Sequence, residues 1–82
     1  VKKVVYLPAA QRSLLRHRKM SGRILAKMEA FADSPESFAN LVTELKGSRA
    51  RRLRIGGFRV IFEETDTEFV VTAIGPRGSV YD

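Results

Sequence analysis

Cysteine is absent from this 82-residue chain, which excludes disulfides and any thiolate metal site. Its one histidine, His17, leaves too few imidazoles for a common zinc centre. No apolar run approaches the roughly 18 residues of a membrane span. The stretch from Val4 to Ala10 is too short for a secretory core, and Pro8 interrupts it. The composition therefore predicts no metal, no cofactor, no membrane association and a cytoplasmic location. Acidic residues are missing from one region in particular. Between Lys46 and Arg59 stand six basic residues and no acid, within a chain of formal charge +6. Such a cluster favours a polyanionic partner, nucleic acid or an acidic protein segment; the alternative is a solvated basic face. The length fits one domain, residues 1–82, near the lower limit for a core without staples.

The most informative stretch is Arg51 to Glu64, RRLRIGGFRVIFEE. Alternating runs flank Gly56-Gly57, a strong hairpin signal because glycine tolerates the positive φ of tight hairpin turns. Counting outward from a two-residue turn opposes Ile55 to Phe58, Arg54 to Arg59, Leu53 to Val60 and Arg52 to Ile61. Opposed residues share a sheet face and neighbours alternate. One face then carries Leu53, Ile55, Phe58, Val60 and Phe62, a core stripe. The other carries Arg52, Arg54 and Arg59 beside Ile61. Opposed like charges destabilise a strand pair by up to about 1 kcal/mol, so an anion is expected on that face.

Val1 to Leu7 reads as a first strand stopped by Pro8. Ala9 to Lys19 reads as a short amphipathic helix. Met20-Ser21-Gly22 is the expected break, with Ser21 as N-cap of a second helix from Arg23 to Ala32. There Ile24, Met28 and Phe31 recur at helical spacing, and Asp33-Ser34-Pro35 ends it. Glu36 to Gly47 reads as a loose helical turn and a packed connector. A last strand, Glu68 to Ile74, follows the Thr65-Asp66-Thr67 turn, and Gly75-Pro76 ends it. The order is β-α-α-β-β-β, an α+β domain.

That order resembles the RelE/ParE family of type II toxins. The similarity rests on Leu45-Lys46-Gly47, on Arg52-Leu53-Arg54-Ile55 and on Gly57 to Glu63 (GFRVIFE). It continues in Ile74-Gly75-Pro76-Arg77 and in Val80-Tyr81. It implies a twisted antiparallel sheet packed against two N-terminal helices. It also implies a cognate antitoxin partner, with operator DNA bound only through the antitoxin complex. In the RelE branch, the resemblance implies a toxin that enters the ribosome and cleaves mRNA by attack of a 2′-hydroxyl on the adjacent phosphate. Arg52 and Arg54 then stand where RelE-type enzymes have strand lysines. Arg59, Arg77 and Tyr81 match the remaining catalytic positions, and Lys46, Arg49 and Arg51 are expected to add RNA contacts.

Guanidinium groups suit this chemistry because they hold phosphate oxygens bidentately as charge builds on phosphorus. A tyrosine ring can stack on an unpaired base; Tyr81 reads equally well as an aromatic plug at the sheet end. The departure from the family is the base. Guanidinium groups hold their proton at neutral pH, so an arginine at the strand-lysine positions is a poor proton acceptor. Glu44, Glu63 and Asp82 are alternatives that read more simply as surface carboxylates, and His17 is expected to face solvent. Two further readings stay open: a ParE-like toxin acting on DNA gyrase, and a catalytically weak toxin acting through antitoxin and operator binding.

Overall fold

The computed structural model describes residues 2–76. Five strands form one sheet: β1 (Lys3–Tyr6), β2 (Val42–Glu44), β3 (Arg51–Ile55), β4 (Phe58–Glu64) and β5 (Glu68–Pro76). They lie in the order β1-β5-β4-β3-β2. Two helices, α1 (Pro8–Arg16) and α2 (Arg18–Asp33), pack on one side. The α+β architecture is the expected one, a largely antiparallel sheet against two N-terminal helices. Two refinements appear. β1 joins β5 in parallel, while the other three pairings are antiparallel. The segment read as a loose turn and connector is a 3₁₀ helix, Pro35–Leu41, followed by the short edge strand β2.

The break between the helices falls at His17, not at Met20-Ser21-Gly22. His17 leaves helical geometry (φ −114°, ψ 58°). Its N–H donates to the Ser13 carbonyl and closes α1, while its own carbonyl accepts from Met20 and Ser21 and opens α2. Ser21 therefore sits inside α2, its hydroxyl donating to the Arg18 carbonyl at 3.0 Å, and caps nothing. Helical Gly22 costs about 1 kcal/mol relative to alanine. Continuing the helix through it keeps Met20 packed on the core and Ile24 and Met28 fully buried, which outweighs that cost.

The hairpin register is the one counted from the sequence: Ile55 opposes Phe58, Arg54 Arg59, Leu53 Val60 and Arg52 Ile61. Of the two turn glycines only Gly56 uses positive φ, at 59°, as a turn with glycine at its first central position requires. The Arg23 guanidinium of α2 lies over it, 3.6 Å from where a Cβ would stand. Leu53, Ile55, Val60 and Phe62 are buried against Ile24, Met28 and Phe31. Phe31 contacts Phe62, Phe69 and Phe38 at ring-centroid distances of 5.1, 5.0 and 6.0 Å. Those tilted and edge-on geometries add to the burial of the rings.

β4 and β5 hold register through a bulge. Phe62 opposes Val71 but Ile61 opposes Ala73, leaving Thr72 as the extra residue. Its hydroxyl donates to the Ile61 carbonyl at 3.3 Å. The bulge brings both Val71 and Ile74 into the core, although their spacing of three would otherwise put them on opposite faces.

On the helix side Glu64 accepts from Lys2 Nζ at 2.6 Å and from Arg51. The Lys2 hydrogen bond is the main reason that its carboxyl sits below the ordinary range, with Arg51 adding and partial burial opposing. A lowered folded-state pKa contributes stability above the unfolded value of about 4.3, and that contribution disappears as pH falls through the folded value. Glu64→Gln should therefore melt slightly below the parent at neutral pH and level with it near about pH 2. The difference stays small because the pair is solvent-screened. Phe62→Ala should cost about 3–5 kcal/mol, a large share of the total for a domain of this size. Thermal melts across pH check both.

Candidate nucleic-acid interface

Alternation along β3 and β4 turns Arg52, Arg54 and Arg59 away from the helices. Arg54 and Arg59 stand directly opposite each other next to the turn, with Arg54 exposed and the other two half-buried. Gly75, in register with Arg59 on β5, brings no side chain to the face. The next row holds Thr43, Arg52, Ile61 and Ala73 across four strands. Three guanidinium groups on adjoining positions of a rigid sheet make a fixed cationic surface. Planar bidentate donors of this kind suit phosphate.

Lys46 and Arg49 lie exposed in the β2–β3 loop, at the end of the sheet away from the turn. Arg51 does not join them. It shares the helix-side face with Leu53 and Phe62, stacks over the Phe62 ring at 5.1 Å and pairs with Glu64. Strand parity accounts for this, because Arg51 and Arg52 must point to opposite faces. Arg77, Tyr81 and Asp82 lie outside the described residues.

Of the carboxylates considered as bases, Glu44 opposes Arg51 on the helix side. Glu63 is on the arginine face, four residues along β4 from Arg59, about 13 Å at the usual strand rise. His17 does not face open solvent. It is half-buried at the helix junction, edge-on to Phe58 at 5.0 Å, on the other side of the molecule from the arginine face. Tyr6 has a buried hydroxyl without a hydrogen-bond partner among the described residues. Burial, and then the charge of Glu29, push its pKa up to about 12, so it remains a neutral phenol. No group of three His, Asp or Glu side chains able to hold a metal occurs among the described residues, and none of the helices there is long and apolar enough to cross a membrane.

The sequence reading missed a cleft on the same face. Ile61 and Ala50 are buried, at 1% and 8% exposure, yet belong to no part of the helix-packed core. The β2–β3 loop folds beside them. The Leu45 N–H donates to the Ala50 carbonyl at 3.1 Å and the Ala50 N–H to Ser48 Oγ at 3.0 Å. Ile61 opposite Arg52 was the available signal, an apolar residue on a charged face.

The comparisons with known proteins bear on this sheet and its basic face. Residues 4–81 match the family model described as the ParE toxin of the type II toxin-antitoxin system parDE. The chain belongs to this family. It is a toxin of a type II toxin-antitoxin system with the RelE/ParE fold. Among solved structures, it resembles a chain of the RelE–RelB complex from Pyrococcus horikoshii at TM-score 0.74 and 23% identity, over 96% of this chain and 98% of that one. A chain of the RelBE2 complex from Mycobacterium tuberculosis aligns at TM-score 0.64 and 23% identity, over 93% and 98%. YafQ from Escherichia coli aligns over the whole of both chains at TM-score 0.72 and 12% identity. Comparison with curated proteins gives no match. For this toxin, Arg54→Ala should leave thermal stability unchanged or slightly raised, because it removes an opposed like charge. A large loss in the melt would make Arg54 a structural residue and end its assignment to a ligand-binding face.

Proposed function

We propose that this toxin is a ribosome-dependent endoribonuclease that cleaves mRNA and blocks translation. The observation that carries the reading is the opposed pair Arg54 and Arg59, with Arg52 one row away on the same outward face. In this reading the RNA 2′-hydroxyl attacks the adjacent phosphorus, and the 5′-oxygen of the next nucleotide leaves. Arg54 and Arg59 hold the phosphate oxygens as negative charge develops on them. Arg52 extends the grip along the backbone, with Lys46 and Arg49 at the loop. Arg77 and Tyr81 are assigned to the leaving group and to base stacking by resemblance alone. Glu63, about 13 Å along its strand from Arg59, is too remote to take the proton there. Catalysis then rests on positioning and electrostatics, with the proton going to solvent or a ribosomal group.

The proposed partners are the ribosome with its mRNA and a cognate antitoxin, with operator DNA reached only through the antitoxin complex. The RelB-bound relatives support the antitoxin assignment. Such an antitoxin would neutralise part of the arginine face and bury more than about 1,000 Å² in total. A second reading, inhibition of DNA gyrase, is favoured by one observation: the matching family model carries the ParE description. Induced expression followed by primer extension separates the two. Codon-phased cuts support the nuclease, whereas intact message with blocked supercoiling supports the gyrase reading.

Within the nuclease reading, Arg59→Lys should lose about tenfold or more in single-turnover cleavage of ribosome-bound message. Lysine keeps the charge and loses the fork. Arg52→Lys should be tolerated or faster, since a lysine crowded by Arg54 and Arg59 titrates closer to neutrality. Rates measured between about pH 6 and 9 check both. Full activity in Arg59→Lys would remove the electrostatic clamp.

A further inference from the structure

The outward sheet face carries two features, and the arginine rows are only one of them. At the other end, a cleft of about 680 Å³ opens between the β2–β3 loop and strands β4 and β5. Its apolar floor is Ile61 and Ala50; Lys46 and Ser48 form the loop wall, and Glu63 and Thr72 the strand wall. Clefts with an apolar floor and a few convergent polar groups are the usual form of a small-molecule or base site.

The polar groups are sorted by what they offer. Ser48 Oγ already accepts the Ala50 N–H, which leaves its hydroxyl hydrogen to donate. Lys46 is a donor only. On the opposite wall the Thr72 hydroxyl spends its hydrogen on the Ile61 carbonyl and is left as an acceptor. Glu63 is exposed and makes no hydrogen bond or ion pair among the described residues, and an ionised carboxylate only accepts. Donors therefore line one wall and acceptors the other. Arg52, in register with Ile61, stands beside the floor, so a chain whose phosphates lie on the arginine rows can turn a base into the cleft.

We propose that this cleft is a base-reading subsite for guanine in single-stranded RNA. The proposal rests on the nuclease reading for its RNA and extends it to base choice. Guanine is the base whose Watson–Crick edge sets a carbonyl acceptor beside two adjacent N–H donors. Its N1–H and 2-amino group match both oxygens of Glu63, and its O6 faces the donors of Lys46 and Ser48. Adenine and cytosine present one amino group on that edge, and uracil a single ring N–H. Sequence-specific recognition of unpaired RNA uses these edges together with apolar or aromatic contact to the ring. Thr72, the extra residue of the β-bulge, lies on this wall, and bulges recur next to functional sites, where they re-aim a side chain.

The test is an NMR titration of the full chain, labelled with ¹⁵N, with short uridine-rich RNAs that differ only in their central base. Guanine at the centre should move the amides of residues 46–50, Ile61, Glu63 and Thr72. It should bind about tenfold tighter than the other bases, the scale of one bidentate base contact. Glu63→Ala should abolish that preference and leave the shifts at Arg52, Arg54 and Arg59. Glu63→Gln, with one acceptor and one donor, should move the preference towards adenine. Both substitutions are at an exposed position and should leave the fold intact, as the unperturbed core amides would report. Equal binding of all four RNAs, shifts confined to the arginine rows, or a guanine preference that survives Glu63→Ala would each overturn the subsite. Because the readout is binding, absence of mRNA cleavage alongside guanine-selective shifts would sink the nuclease reading and leave the subsite standing.

Discussion

A register slip of one residue at the Gly56-Gly57 turn would turn one strand of the hairpin over, sending either Leu53 and Ile55 to solvent with Arg52 and Arg54 into the core, or Val60 and Phe62 to solvent with Arg59 into the core. Side-chain period is two along a strand, so no intermediate register exists. Desolvating even one unpaired guanidinium costs several kcal/mol, and the displaced apolar pair would lose the burial seen against α2. The register is thus held by a penalty on both faces at once. Positive φ at Gly56 lets the chain reverse in two residues without strain, which turns that preference into a fixed position for Arg54 and Arg59.

The rest of the sheet is fitted to this hairpin. Phe31 reaches from α2 to Phe62 on β4 and Phe69 on β5, tying the helix layer to the central strand and its inner neighbour. The Thr72 bulge corrects the phase of β5, so that Val71 and Ile74 both face Phe31 and its neighbours. The same correction bears on the outward surface, because its extra residue, Thr72, lies on the cleft wall. A packing requirement on one face thereby determines chemistry on the other.

Legibility in the sequence follows the range of the forces involved. The hairpin register, the arginine face and the Ile24, Met28 and Phe31 stripe were readable because period and turn chemistry are local. The helix junction was misplaced because Gly22 and Ser21 carry a local breaker signal that burial of Met20 and Ile24 overrides. β2 was missed because three residues at a sheet edge have no period of their own and exist by pairing with β3. Parity also divides Arg51 from Arg52, a distinction that a count of basic residues hides. The cleft was invisible because it depends on a bulge and a loop, and the pairing of Ile61 with Ala73 rather than Thr72 has no signature within either strand.

The parallel pairing of β1 with β5 sets Lys3 against Glu68 and Tyr6 against Val71, the most distant partners in the described chain. During synthesis β1 emerges first and must wait, edge unpaired, until β5 has left the exit tunnel, because long-range pairings form only after the intervening loop has closed. The two helices and the β3–β4 hairpin are local and can form earlier. A polypeptide halted before β5 would therefore hold the arginine strands without the strand that brackets Arg59 and joins the first strand to the sheet. On this geometry the assembled basic face depends on β5, and a nascent toxin comes into possession of it only once that strand has joined the sheet.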